Sequence, residues 1–258
     1  MTFILIREQG RVIRARTGFY DVQYDDLVLR CTLRGTLKRK RQSETGRRLY
    51  ADPVAVGDQV VFSQIDQEEG VIEDILPRQT KFSRKYAGKH EDIEQIIVAN
   101  AHQVVAVVST QMPPLNFRTL DRFLILAEAG DMAAVICLNK MDLVDSEQRQ
   151  QLTSTFETYK KLGYEVLFTS IKVPKSIDTL KKVIRNKFSV IVGPSGVGKS
   201  SILNAIQPNL ELRIGEVGEK TQKGRHTTTL VELFKLDSGG EVVDTPGIRE
   251  VGLWGVDT

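Results

Sequence analysis

The residues best equipped for chemistry lie at 193–201, where Gly193, Pro194, Ser195, Gly196, Val197, Gly198, Lys199, Ser200 and Ser201 put four residues between Gly193 and a closing Gly198-Lys199-Ser200. An apolar run, Val190 to Val192, precedes the glycines, and a helical pattern through Ile202, Leu203, Ala205 and Ile206 follows. The stretch therefore reads as a strand, a phosphate-cradling loop and a helix. Glycine lets the backbone wrap closely enough for its N–H groups to point at phosphate oxygens, and the helix N-terminus adds partial positive charge. Lys199 is placed to reach the outer phosphates, and the Ser200 hydroxyl to ligate Mg²⁺. A phosphate loop by itself leaves base, reaction and partner open.

A second cluster, Asn139-Lys140-Met141-Asp142, ends the apolar run Ala133 to Leu138. The carboxyl ends of buried parallel strands are where open α/β sheets bind ligands. The Asp142 carboxylate can accept from both N1–H and the exocyclic amine of guanine, whereas adenine offers the opposite arrangement and would leave buried groups unpaired. The ligand expected is thus a guanine nucleotide, with Ser170, after the apolar run 164–169, supplying a backbone contact to the base.

A third cluster lies near the C-terminus. The run 215–229, GEVGEKTQKGRHTTT, has three glycines and no apolar period, and it ends in hydroxyls, Thr228 and Thr229 among them, one of which could close on Mg²⁺ and the γ-phosphate. Asp244-Thr245-Pro246-Gly247 follows a short apolar strand. Asp244 is expected in the Mg²⁺ shell, commonly through water, and the Gly247 N–H at the γ-phosphate. Ile248 stands where many GTPases place a water-orienting glutamine, and isoleucine cannot hydrogen-bond a nucleophile, so intrinsic hydrolysis should be slow.

The elements needed to position these clusters are legible in the hydrophobic pattern. From residue 98 onward, buried-strand runs (104–109, 133–138, 164–169, 188–192) alternate with helical patterns (120–129, 146–162, 176–185), as in an α/β domain. An ordinary GTPase runs phosphate loop, threonine switch, DxxG, NKxD. Here NKMD comes first, and since the same sheet can be closed with different termini, the order predicts a circular permutation.

Before residue 85 the texture differs, with short β-branched and aromatic runs bounded by Gly and Asp and little that looks helical. About five strands are expected, closed into a small β-barrel of OB-fold type, because closure removes exposed edges. Between two of these strands lies a basic run including Lys38, Arg39, Lys40, Arg41, Arg47 and Arg48. It is either a solvated loop or a contact to a nucleic-acid backbone, and its position on a barrel of this kind favours RNA or DNA. The fold class expected is α/β, an N-terminal OB-fold followed by a circularly permuted P-loop GTPase domain, divided as residues 1–85, a polar linker at 86–99, and 100–258.

Whole-chain properties bound the rest. With 258 residues there is room for two cores, and 36 basic against 33 acidic residues leave any case for an anionic partner to local clustering. Cys31 and Cys137 make neither a metal site nor a disulfide framework, and His90 and His102 have no partner at metal-ligand spacing. No leader and no membrane-spanning run is seen, so a cytoplasmic monomer is expected, or an organelle-matrix protein if a leader has been trimmed.

Taken together, the barrel, NKMD, GPSGVGKSS, GRHTTT and DTPGIRE in this order resemble the RsgA (YjeQ) family of circularly permuted GTPases, which act in late maturation of the small ribosomal subunit. The resemblance implies GTP hydrolysis stimulated by the small subunit, makes the basic run a candidate ribosomal RNA contact, and makes His226 the candidate for positioning the hydrolytic water. Two departures stand out. Similar proteins continue into a Cys- and His-rich zinc domain, whereas this sequence stops at Thr258 without those ligands, being either truncated or naturally short. Similar proteins also commonly carry an Asp near Asn100-Ala101-His102, where this chain has no acid. The rival readings are a GTP-gated RNA-binding assembly factor with negligible turnover and, more distantly, an ATP-dependent P-loop enzyme.

Overall fold

A computed structural model describes residues 7–16, 18–39, 52–86, 93–210 and 231–244. The first five strands, β1 (Arg7–Arg16), β2 (Phe19–Tyr24), β3 (Leu27–Leu33), β4 (Gln59–Gln64) and β5 (Glu69–Ile75), hydrogen-bond in the order β1-β2-β3-β5-β4 and close through β1–β4. Only β3 and β5 run parallel, and the result is the five-stranded closed barrel expected of an OB-fold. Alternation dictates the interior: Val12, Tyr20, Val22, Leu29, Cys31, Val60, Phe62 and Ile72 all point inward. A five-residue helix, α1 (Gly35–Arg39), follows β3 where only loop was anticipated, so Lys38 and Arg39 end a helix. Lys40, Arg41, Arg47 and Arg48 lie outside the described residues.

The second half is a twisted sheet in the order β10-β9-β8-β11-β13-β12. Strands β8 (Gln103–Ser109), β9 (Ala133–Asn139), β10 (Glu165–Phe168), β11 (Phe188–Val192) and β13 (Glu241–Asp244) are parallel, whereas β12 (Val231–Lys235) runs antiparallel to β13. Strand β8 is buried on both faces, so its residues divide between two cores. Val104, Ala106 and Val108 pack with α2 (Phe117–Glu128) and with Phe156 of α3 (Ser146–Lys161). Val105 and Val107 pack on the other side with α4 (Pro174–Ile184) and α5 (Lys199–Ile206). Local signals start these helices: Asn116 accepts from the Thr119 N–H at 3.0 Å, Asp145 and Gln148 form a reciprocal capping box, and Pro174 occupies the first turn of α4.

Residues 81–85 and 94–99, taken from sequence as barrel end and polar linker, instead form a two-stranded antiparallel sheet, β6 (Lys81–Lys85) and β7 (Glu94–Ala99). The reason is a pattern too short to see in the sequence. Phe82, Ile97 and Val98 enter the same core as α2, while the buried Glu94 is paired with Lys81 at 2.8 Å. The Lys81 N–H also donates to the Gly130 carbonyl at 3.1 Å.

Candidate nucleotide site

The register of the parallel strands brings three of the predicted clusters to one edge. Ser109 of β8 lies opposite Asn139 of β9, Leu138 of β9 opposite Phe168 of β10, and Ile191 of β11 opposite Asp244 of β13. The carboxyl ends of five adjacent strands therefore present Thr110, NKMD, Thr169-Ser170, the glycine-rich loop and Asp244 side by side.

In the glycine-rich loop, Gly193 has φ +151, and a Cβ there would stand 2.2 Å from the Val107 carbonyl oxygen. Gly198, at φ +100, would put a Cβ 2.5 Å from Asn139 Nδ2. Both positions need glycine for room as well as for conformation. Lys199 opens α5 and donates to the carbonyls of Gly193 (2.8 Å) and Pro194 (3.1 Å), so its ammonium lies within the turn of the loop. Burial pushes its pKa down, partly opposed by the nearby Asp244 carboxylate. Such a group gains from a polyanion that restores its charge balance. Ser200 and Ser201 are half-buried in the first turn of α5, and Val197 is buried. Asp244 is buried at the end of β13 beside the loop strand. A hydroxyl and a carboxylate form a hard-oxygen donor set, which suits Mg²⁺. His226, Thr228, Thr229 and Gly247 lie outside the described residues.

The tetrad is locked to its surroundings. Asn139 Nδ2 donates to the Val197 carbonyl at 2.8 Å, and Asn139 Oδ1 accepts from the Thr169 hydroxyl at 3.1 Å, so one side chain joins the tetrad to the glycine-rich loop and to the end of β10. Lys140 adopts the left-handed conformation, φ 62 and ψ 37, and turns the chain into a 3-10 segment, Met141–Leu143. Met141 is buried in the core, so its side chain serves packing. Asp142 Oδ1 accepts from the Ser170 hydroxyl at 2.7 Å, and its Oδ2 pairs with Lys172 Nζ at 2.9 Å. The Ser170 hydroxyl first, and Lys172 second, hold the Asp142 carboxyl below the usual carboxylate range, which keeps it an acceptor.

Lys172 and Thr169 were not singled out from sequence, since their roles depend on a strand end that packs beside NKMD only in the fold. Ser170 was expected to offer backbone, and its hydroxyl also orients Asp142. The absence of an acid near residue 100 has a structural counterpart. Asn100, at φ 57, accepts from the Gln79 N–H (2.8 Å) and donates to the Gly57 carbonyl (3.1 Å), a donor and acceptor pair that a carboxylate cannot supply. His102 Nδ1 accepts from the Phe188 N–H at 2.8 Å, a structural role. Burial pushes both cysteine thiols up to about 12, so neither is poised as a nucleophile.

With this geometry in place, comparison with known proteins gives a consistent result. A family model described as RsgA GTPase matches residues 75–254, and one described as RsgA N-terminal domain matches residues 9–72. The chain is 39% identical over 247 residues to a protein of Alkaliphilus metalliredigens named small ribosomal subunit biogenesis GTPase RsgA, covering 95% of this chain and 76% of that one. A Thermotoga maritima protein of the same name is 38% identical over 250 residues, covering 96% and 77%. Among solved structures, YjeQ from Thermotoga maritima superposes with a TM-score of 0.70 at 32% identity, covering 95% of this chain and 77% of that one. YloQ, a circularly permuted GTPase, superposes with a TM-score of 0.65 at 32% identity, covering 97% and 75%.

Proposed function

Because this chain belongs to the RsgA family of circularly permuted GTPases, we propose that it binds GTP with Mg²⁺ at this edge of the sheet and hydrolyses it to GDP and phosphate on the maturing small ribosomal subunit. The observation that carries the reading is the convergence of Asp142, Lys199 and Asp244 on the carboxyl ends of neighbouring parallel strands. Asp142, held ionised by Ser170 and Lys172, reads the guanine edge. Asn139 keeps the phosphate loop in register with it. Loop N–H groups and Lys199 take the phosphates. Ser200 and Asp244 would hold Mg²⁺, which would supply neutralisation of phosphate charge. Thr228 or Thr229 would complete that shell, and the Gly247 N–H would serve the γ-phosphate.

Partner dependence follows from Ile248. The water must be oriented by another group, which we assign to His226, and turnover in isolation is slow. The barrel, with the basic run that begins at the end of α1, is the RNA-facing module. Residues up to about 75 form that module and the remainder the GTPase domain, including β6 and β7. No helix among the described residues is long and apolar enough to cross a membrane; we assign the chain to the cytoplasm on the ground of its proposed ribosomal work, and read it as a monomer.

Single-turnover hydrolysis with and without purified small subunits tests the proposal. The expected outcome is a slow intrinsic rate raised by subunits, with ATP inert. Tight GTP binding with no stimulation by subunits would favour the rival, a GTP-gated RNA-binding assembly factor.

A further inference from the structure

Resting on the guanine-site reading, we infer that Thr110 and Arg149 are positioning residues for base selection, forming a clamp on the backbone carbonyls of Lys140 and Met141 that aims the Asp142 carboxylate. Neither residue belongs to a recognisable nucleotide motif. Thr110 follows β8 and is 8% exposed. Its N–H donates to the Asn139 carbonyl at 3.1 Å, and its hydroxyl donates to the Lys140 carbonyl at 2.8 Å. From α3, Arg149 donates through Nη2 to the Met141 carbonyl at 2.9 Å.

The clamp grips a backbone that needs holding. Lys140 is a non-glycine residue at φ 62, and this left-handed turn swings the chain out of β9 so that Asp142 emerges beside Ser170. Within the turn, the Lys140 carbonyl also accepts from the Leu143 N–H at 3.0 Å. That bond closes the 3-10 segment on itself but fixes nothing relative to the sheet. As the Met141 N–H does on the β10 side, donating to the Thr169 carbonyl at 3.1 Å, Thr110 provides an external reference on the β8 side. Its own segment is braced by Ser109, whose hydroxyl donates to the Pro113 carbonyl at 2.7 Å, and by Lys140, whose ammonium donates to the Met112 carbonyl. The carboxylate must meet two donors of guanine at once, so a small rotation of the 140–142 backbone weakens the exocyclic-amine contact more than it weakens phosphate binding.

The test is calorimetric titration of the full chain with GDP and with inosine diphosphate, which lacks the exocyclic amine, for wild type, Thr110→Val, Thr110→Ser, Arg149→Met and Asp142→Asn. Thr110→Val is near-isosteric and removes one hydrogen bond. It should lower GDP affinity about three- to tenfold and compress the ratio of GDP to inosine diphosphate affinity, while the thermal midpoint stays near that of wild type. Thr110→Ser should restore both values. Arg149→Met should compress the same ratio independently, and it decides the matter if Thr110→Val does not fold. An unchanged ratio in the folded variants, whether or not stability falls, overturns the clamp. Asp142→Asn separates the two levels: if it too leaves the ratio unchanged, the guanine-site reading has failed, and if it alone collapses the ratio, only the clamp has.

Discussion

Asp142 illustrates how far a single carboxylate depends on its neighbours. With its pKa held down by Ser170 and Lys172, the base-reading form should survive into acid, and affinity for GDP should stay level as pH falls toward the ordinary carboxylate value of about 4. A depressed carboxylate pKa contributes above the unfolded value and is lost only as pH drops through the folded one. Ser170→Ala removes the largest contribution, so in titrations from neutral pH down to about pH 3, through the ordinary carboxylate range, its affinity should begin to fall at higher pH than that of wild type. Coincident profiles would mean that the Ser170 hydroxyl does not tune Asp142. Lys199 shows the complementary case, a cation held at reduced pKa by burial among loop carbonyls, for which a bound triphosphate is the natural counter-charge.

At the scale of elements, the β6–β7 pair is a docked part of the α/β domain, and Gly130 reports on it. A Cβ at Gly130 would lie 1.8 Å from the Lys81 carbonyl oxygen, which is backbone and cannot swing away. Gly130→Ala should therefore destabilise the protein by about 1–3 kcal/mol, the usual cost of overpacking, measured by denaturant or thermal unfolding. A cost near zero would mean that residues 81–85 are not docked against the end of α2. The same pair shows where sequence legibility ends. Long segments such as β8, β9 and α2 were readable because burial repeats within each of them. The strands β6 and β12 were not, since KFSRK and VELFK mix charge with one or two inward residues, and their strand character comes from pairing, β6 with β7 and β12 with both β13 and the distant β1. For the site, motif residues with fixed spacing were legible. Thr110, Arg149, Thr169 and Lys172 were not, because hydrogen bonds formed across strand ends define them.

For the whole molecule, the barrel and the α/β domain share one continuous eleven-stranded sheet, joined where β1 pairs with β12 through Arg14↔Glu232 and Ala15↔Val231. Ion pairs from Arg14 to Glu232 and Arg11 to Glu241 cross the same seam, and the Ala99 N–H donates to the Val56 carbonyl at 2.9 Å nearby. Permutation gives this seam its place: the hairpin β12–β13 that abuts the barrel also ends in Asp244, at the nucleotide edge. Every functional statement about this assembly depends on guanine being what Asp142 reads. The most direct test is nucleotide preference after Asp142→Asn, which exchanges one acceptor for a donor. Xanthine keeps N1–H but carries a carbonyl in place of the exocyclic amine, so the variant should lose GDP affinity, gain xanthosine diphosphate affinity and remain blind to ADP. Full GDP affinity in Asp142→Asn, or a gain for ADP, would contradict the assignment of this site.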